Sequence, residues 1–168
     1  MKTATELFEE ALEWLRRNYV RFRFFAERDI VWTVQVRLIE AIEQEQLPFR
    51  VFNEYVMLAG KRRRLSDLAI LGQDSLVELA AEFKYEPAHS RDDIQTQKLP
   101  VVFWGRDGVG KDVERIQEFV KTSGAKVAYA VFIDEGGVLP KAASPSRKRV
   151  GGLGKRGMGA ALARSGQP

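Results

Sequence analysis

Apolar positions along the chain fall into two periods. From Thr3 the pattern is helical. Leu7, Ala11, Leu12, Leu15 and Tyr19 recur every three or four residues behind a Thr3-Ala4-Thr5-Glu6 capping box, which predicts a first helix to about Tyr19. Residues 20–25 (VRFRFF) alternate basic and apolar side chains and make a connector or a short extended piece. A second helix starts near Ala26 and runs to about Gln44, ahead of Leu47-Pro48, with Val31, Val34, Leu38 and Ile42 as its inward stripe. The period then drops to two. Residues 49–58 form a strand, and residues 59–64 (AGKRRR) form a basic turn. Between Ser66 and Tyr85, Leu68 and Ile70, and then Val77, Leu79, Ala81 and Phe83, alternate with a second set, separated by Gly72, Asp74 and Ser75; this is a hairpin. Pro87 closes its second strand, and a helical linker starts at Ser90 and leads to Pro100. Val113, Ile116 and Val120 line a third helix after the glycines of residues 105–110, and the mostly apolar residues 126–133 suit a strand buried on both faces. From Lys141 the composition turns to Gly, Ser, Pro, Lys and Arg, which reads as a disordered tail. The chain is therefore expected to be an α/β domain over residues 1–140 with a basic Gly-rich tail over 141–168.

The hairpin carries the candidate chemistry. With residues 72–75 as the loop, Leu71 faces Leu76 and Asp67 faces Ala80, so Glu82 is the diagonal neighbour of Asp67, roughly 7–8 Å away. Lys84 lies two residues further along the same face. The opposite face is apolar. Like charges side by side on a sheet destabilise it unless something offsets them. A hard divalent cation such as Mg²⁺ would do so, and a lysine beside that cation suits holding a water or stabilising charge on a phosphoryl oxygen. The plainer alternative is a solvated face carrying ordinary surface charges. Glu27 also stands out, because it lies on the apolar stripe of the second helix one turn before Val31. A carboxylate there needs a partner, or else it serves the helix dipole. Lys61, Arg62, Arg63 and Arg64 make either a solvated loop or a clamp on a nucleic-acid backbone.

Asp67 followed by Glu82-Phe83-Lys84 within VELAAEFKY resembles the core of the PD-(D/E)xK nuclease superfamily, which includes restriction endonucleases and archaeal Holliday junction resolvases; Ser66 stands where the name-giving proline would be. The resemblance implies a restriction-endonuclease-like α-β-β-β-α-β core, a mixed central sheet flanked by helices, with one extra helix at the N-terminus. It also implies a metal-dependent nuclease using Mg²⁺, or Mn²⁺ in its place, to hydrolyse phosphodiesters, in DNA first and RNA second. Asp67, Glu82 and the Phe83 carbonyl would then hold the metal, and Lys84 would position the attacking water and stabilise the transition state. Glu27, in AERDIV, would complete or orient the metal shell, and Gln95 and Lys98 would face DNA. The setting would be restriction, repair or phage defence, and a chain this small suits a homodimer or a partner subunit. Another class is a nucleic-acid-binding or assembly subunit that keeps the same fold without turnover.

Composition narrows the field by exclusion. The sequence has no cysteine and one histidine, which removes thiolate zinc sites, Ser-His triads and paired-histidine metal sites. No long uncharged apolar run or signal-peptide pattern is seen, so no membrane association is expected and the chain reads as cytoplasmic. Of the 27 Lys and Arg, seven fall in residues 141–168 with none of the 23 acids, so a mildly acidic body carries a basic end. A nucleotide-binding loop is the third reading: Gly105, Gly110 and Lys111 match its spacing. Asp112 stands against it, because it takes the place of the hydroxyl residue that would hold Mg²⁺ and sets a negative charge against phosphates.

Overall fold

A long hairpin lies at the centre of the sheet. In the computed structural model, which describes residues 1–59, 62–88, 90–94, 109–135, 148–150 and 159–166, strands β1 (Arg50–Ala59), β2 (Arg62–Leu71) and β3 (Val77–Glu86) form an antiparallel meander. Strand β4 (Val127–Asp134) pairs parallel to β3, and helix α3 (Val109–Thr122) lies in the connection between them. A parallel neighbour needs such a crossover, which a hairpin turn cannot supply. Among the described residues the protein is thus α/β, with a mixed sheet and three α-helices. Helix α1 (Ala4–Asn18) begins with the expected capping box, and helix α2 (Glu27–Gln44) follows a short 3-10 turn at Tyr19–Arg21. The Asp29 carboxylate starts α2 by accepting the Phe25 and Ala26 N–H groups. Among the described residues no helix is long and apolar enough to cross a membrane.

Both faces of the sheet are covered. On one, Leu7, Phe8 and Leu15 of α1 and Ile30, Val34 and Leu38 of α2 pack on Leu68, Ile70, Leu79, Phe83 and Val131. On the other, Ile116, Phe119 and Val120 of α3 pack on Met57, Ala69, Ala80, Ala128, Ala130 and Phe132. The four alanines let α3 lie close to the strands beneath it. Strand β4 is buried along its whole length, as its apolar run implied.

Three expectations need correction. The hairpin register is Leu68↔Ala81, Ala69↔Ala80 and Ile70↔Leu79, with a shift between Ile70 and Leu71. Gly72 N–H bonds the Leu76 carbonyl and Ser75 takes a φ of 62°, so the turn takes in Leu76 and β3 starts one residue later than a four-residue loop would have it. The basic turn is shorter than expected, because Arg62–Arg64 belong to β2, with Arg64 opposite Met57. Finally, part of the supposed disordered tail is ordered strand. Strand β6 (Gly159–Gly166) pairs antiparallel with β4, and β5 (Lys148–Val150) pairs with β6, giving the order β1-β2-β3-β4-β6-β5. The exposed hydrogen-bonding edge of β4 supplies the template for that pairing, which a composition dominated by Gly and basic residues conceals.

Candidate active site

Asp67, Glu82 and Lys84 lie on the sheet face beneath α3, and continuing the observed register puts Asp67 directly opposite Glu82 instead of diagonal to it. The Asp67 Oδ2 accepts the Phe83 N–H at 2.6 Å, which fixes the carboxylate against β3. Ser66, which precedes Asp67, is wholly buried, and its hydroxyl donates to the Tyr55 carbonyl. This face is no solvated surface, since Glu82 is only 2% exposed. Lys84 is held between two carboxylates, with Nζ 3.6 Å from Glu27 Oε2 and 3.6 Å from Asp112 Oδ2. The first residue of α2 therefore joins the site, as its place on the apolar stripe suggested.

Two members come from α3 and were missed in the sequence. Arg115 donates from Nη1 to Glu82 Oε2 at 2.6 Å, and Asp112, one turn earlier, is 3% exposed and engages Lys84. The signal was present: Asp112 heads the stripe continued by Ile116 and Phe119, the same argument that singled out Glu27. Asp112 also bears on the nucleotide-loop reading, because its carboxylate is tied into the sheet-facing cluster. Residues 105–108 of that loop lie outside the described residues.

Beside Asp67 opens a cleft of about 680 Å³, lined by Glu27, Trp32, Asn53, Glu54 and Asp67 among others. On β1, Asn53↔Leu68 and Tyr55↔Ser66 keep ladder register, while Glu54 between them takes a left-handed φ of 48° opposite Asp67. A glutamate in that conformation is uncommon, and such strain gathers at functional sites. The Asn53 Oδ1 is buried there without a hydrogen-bond partner.

Crowding sets the electrostatics. Burial, reinforced by the charge of Asp67, pushes Glu82 up to about 8, with Arg115 offsetting only part of the rise. Burial likewise pushes Glu27 up to about 7; Lys84 opposes this, and Asp67 and Asp112 add to it. Asp67 and Asp112 are raised mainly by burial. For Lys84, burial works against the ammonium, yet Glu27, Asp112 and Asp67 together outweigh it and raise its pKa.

Among the described residues, no three His, Asp or Glu side chains stand arranged to hold a metal ion, and Arg115 and Lys84 engage three of the acids. The donor set nonetheless fits a divalent cation. Glu82 Oε1 is buried without a hydrogen-bond partner, and the buried Asp112 Oδ2 has the Lys84 ammonium 3.6 Å away. Among the six side chains Glu27, Asp67, Glu82, Lys84, Asp112 and Arg115, four carboxylates face two cations, a formal excess of two negative charges.

Of the expected nucleic-acid contacts, only Arg63 and Arg64 have side chains among the described residues. Lys61, Gln95 and Lys98 lie outside the described residues, as does the side chain of Arg62. Arg63 is exposed on β2, and Arg64 pairs with Glu118 of α3 at 3.3 Å. No family model matches the sequence, and no curated protein matches it.

Proposed function

We propose that the protein is a metal-dependent nuclease of the PD-(D/E)xK superfamily, with α2, β1–β3, α3 and β4 as its restriction-endonuclease-like core and DNA as its first substrate. The observation that carries this reading is the meeting of Asp67 and Glu82 on adjacent strands with Lys84, whose Nζ is 3.6 Å from Glu27. Asp67, Glu82 and the Phe83 carbonyl would hold Mg²⁺, or Mn²⁺ in its place. Once bound, the ion supplies positive charge at a phosphoryl oxygen.

The chain's own groups account for the rest. The Lys84 ammonium donates a hydrogen bond that orients the attacking water, and its charge opposes the charge that builds on the phosphate. Glu27 and Asp112 hold that ammonium in place from two sides. The water oxygen forms the new P–O bond as the strand's P–O bond breaks. A proton leaves the water and another reaches the departing oxygen, so protons balance. Glu27, raised to about 7 by burial before any metal is bound and next to Lys84, is the carboxylate placed to accept the water proton. The open cleft beside Asp67 also reaches Glu27, so a strand lying in it would meet those two carboxylates.

The Arg115–Glu82 pair favours a second reading, a nucleic-acid-binding or assembly subunit without turnover, because it neutralises a would-be metal ligand. A cleavage panel of duplex, single-stranded and branched DNA and of RNA, with Mg²⁺ or EDTA, separates the two. Mg²⁺-dependent cleavage of any member supports the nuclease. Binding without cleavage in either Mg²⁺ or Mn²⁺ supports the subunit.

A further inference from the structure

The Arg115–Glu82 contact is built unlike a structural ion pair. A buried arginine and carboxylate held for stability usually meet through two parallel hydrogen bonds that satisfy both groups. Here Arg115 reaches Glu82 Oε2 through Nη1 alone, while Arg115 Nε and Glu82 Oε1 are both buried without partners. The second anion near this guanidinium is Asp112 Oδ1, 3.9 Å from the same nitrogen. Arg115 therefore has an anchor on its own helix to which it can turn when Glu82 is taken by something else. Lys84 cannot fill the same role, because it is already held by Glu27 and Asp112.

Resting on the metal-site reading above, we infer that Arg115 is a positioning residue that occupies the cation position at Glu82 and is displaced when a divalent metal binds. Before loading, the Arg115 guanidinium of α3 holds the Glu82 carboxyl by its single hydrogen bond. Upon loading, Glu82 exchanges the guanidinium for the metal, and Arg115 moves to Asp112 at the edge of the site. Metal affinity is then set by competition between the ion and an arginine of the same chain, which keeps the site unloaded at low metal concentration.

The test is Mn²⁺ binding to the full chain, measured by electron paramagnetic resonance or calorimetry without nucleic acid. Arg115→Gln keeps a donor for Glu82 and removes the charge; Arg115→Ala removes both. Each should bind Mn²⁺ about tenfold more tightly than wild type, equivalent to about 1.4 kcal/mol. Should the alanine variant fail to fold by circular dichroism, the glutamine variant alone decides. Unchanged or weaker binding in the glutamine variant would overturn the inference and leave Arg115 as a structural partner of Glu82. Asp67→Asn serves as the control. If wild type and Asp67→Asn bind Mn²⁺ alike, the metal site itself is wrong; if Asp67→Asn loses binding and Arg115→Gln does not gain it, only the displacement is wrong.

Discussion

Glu82→Gln should weaken a pH dependence that the site imposes on folding. The carboxyl of Glu82 is buried beside Asp67 and raised from 4.5 to about 8. An acid whose folded pKa is raised binds its proton more tightly in the folded state. Its stabilising contribution is therefore complete below about 4.5 and is lost as pH climbs through about 8. At about 1.4 kcal/mol per pH unit, the ceiling on that loss is on the order of 4–5 kcal/mol. Glutamine has the shape of glutamic acid and accepts from Arg115, yet has nothing to ionise. Urea denaturation in EDTA at pH 5, 6.5 and 8 provides the assay. Wild type should weaken from pH 5 to pH 8, and Glu82→Gln should lose a clear part of that slope and be the more stable protein at pH 8. The remainder belongs to Glu27, which burial raises to about 7 in the same window. Glu13, which Arg16 and Arg17 hold down to about 2 against burial, titrates below this window and does not interfere. A wild-type stability flat from pH 5 to pH 8, or an unchanged slope in Glu82→Gln, would refute the reasoning.

Lys84→Ala should lower single-turnover cleavage at saturating Mg²⁺ by at least about 100-fold while Mn²⁺ binding is retained or tightened, because a catalytic ammonium contributes far more than the roughly 0–1 kcal/mol of an exposed ion pair; near-wild-type cleavage would remove it from the mechanism. Deleting residues 141–168 strips β6 from the edge of β4. The melting temperature should then fall by more than about 5 °C, whereas an unchanged melt would mean that the strand contributes nothing to the fold.

Much of this layout was legible because the amphipathic patterns are strong. The stripe of Val31, Val34 and Leu38 places α2 on the sheet, and the two-residue period of the hairpin puts Asp67, Glu82 and Lys84 on one face both in the expected register and in the observed one, which differ by two residues. The register itself was not legible. It depends on the turn at Gly72–Leu76 and on the shift at Ile70/Leu71, which change no side chain's hydrophobicity. Alternation also said nothing of a helix lying over the charged face. Asp112 and Arg115 arrive there only because the parallel crossover returns α3 across Ala69, Ala80 and Ala130. Arg62–Arg64 read as a turn because their charge masks the strand they open. Glu54 gave no signal, since its left-handed backbone answers to the site around Asp67 and to no local preference of the glutamate.

Asp67 is the group on which the proposed activity depends most directly. It is fixed against β3 by the Phe83 N–H and lies outside the packed core, so its removal should spare the fold. The decisive measurement is single-turnover cleavage by wild type and by Asp67→Ala, in Mg²⁺ and in EDTA, on whichever member of the nucleic-acid panel the wild type cuts. Mg²⁺-dependent cleavage by wild type and none by a folded Asp67→Ala is the expected result. Cleavage by Asp67→Ala at the wild-type rate, or wild-type cleavage that persists in EDTA, would contradict a metal-dependent nuclease centred on this hairpin.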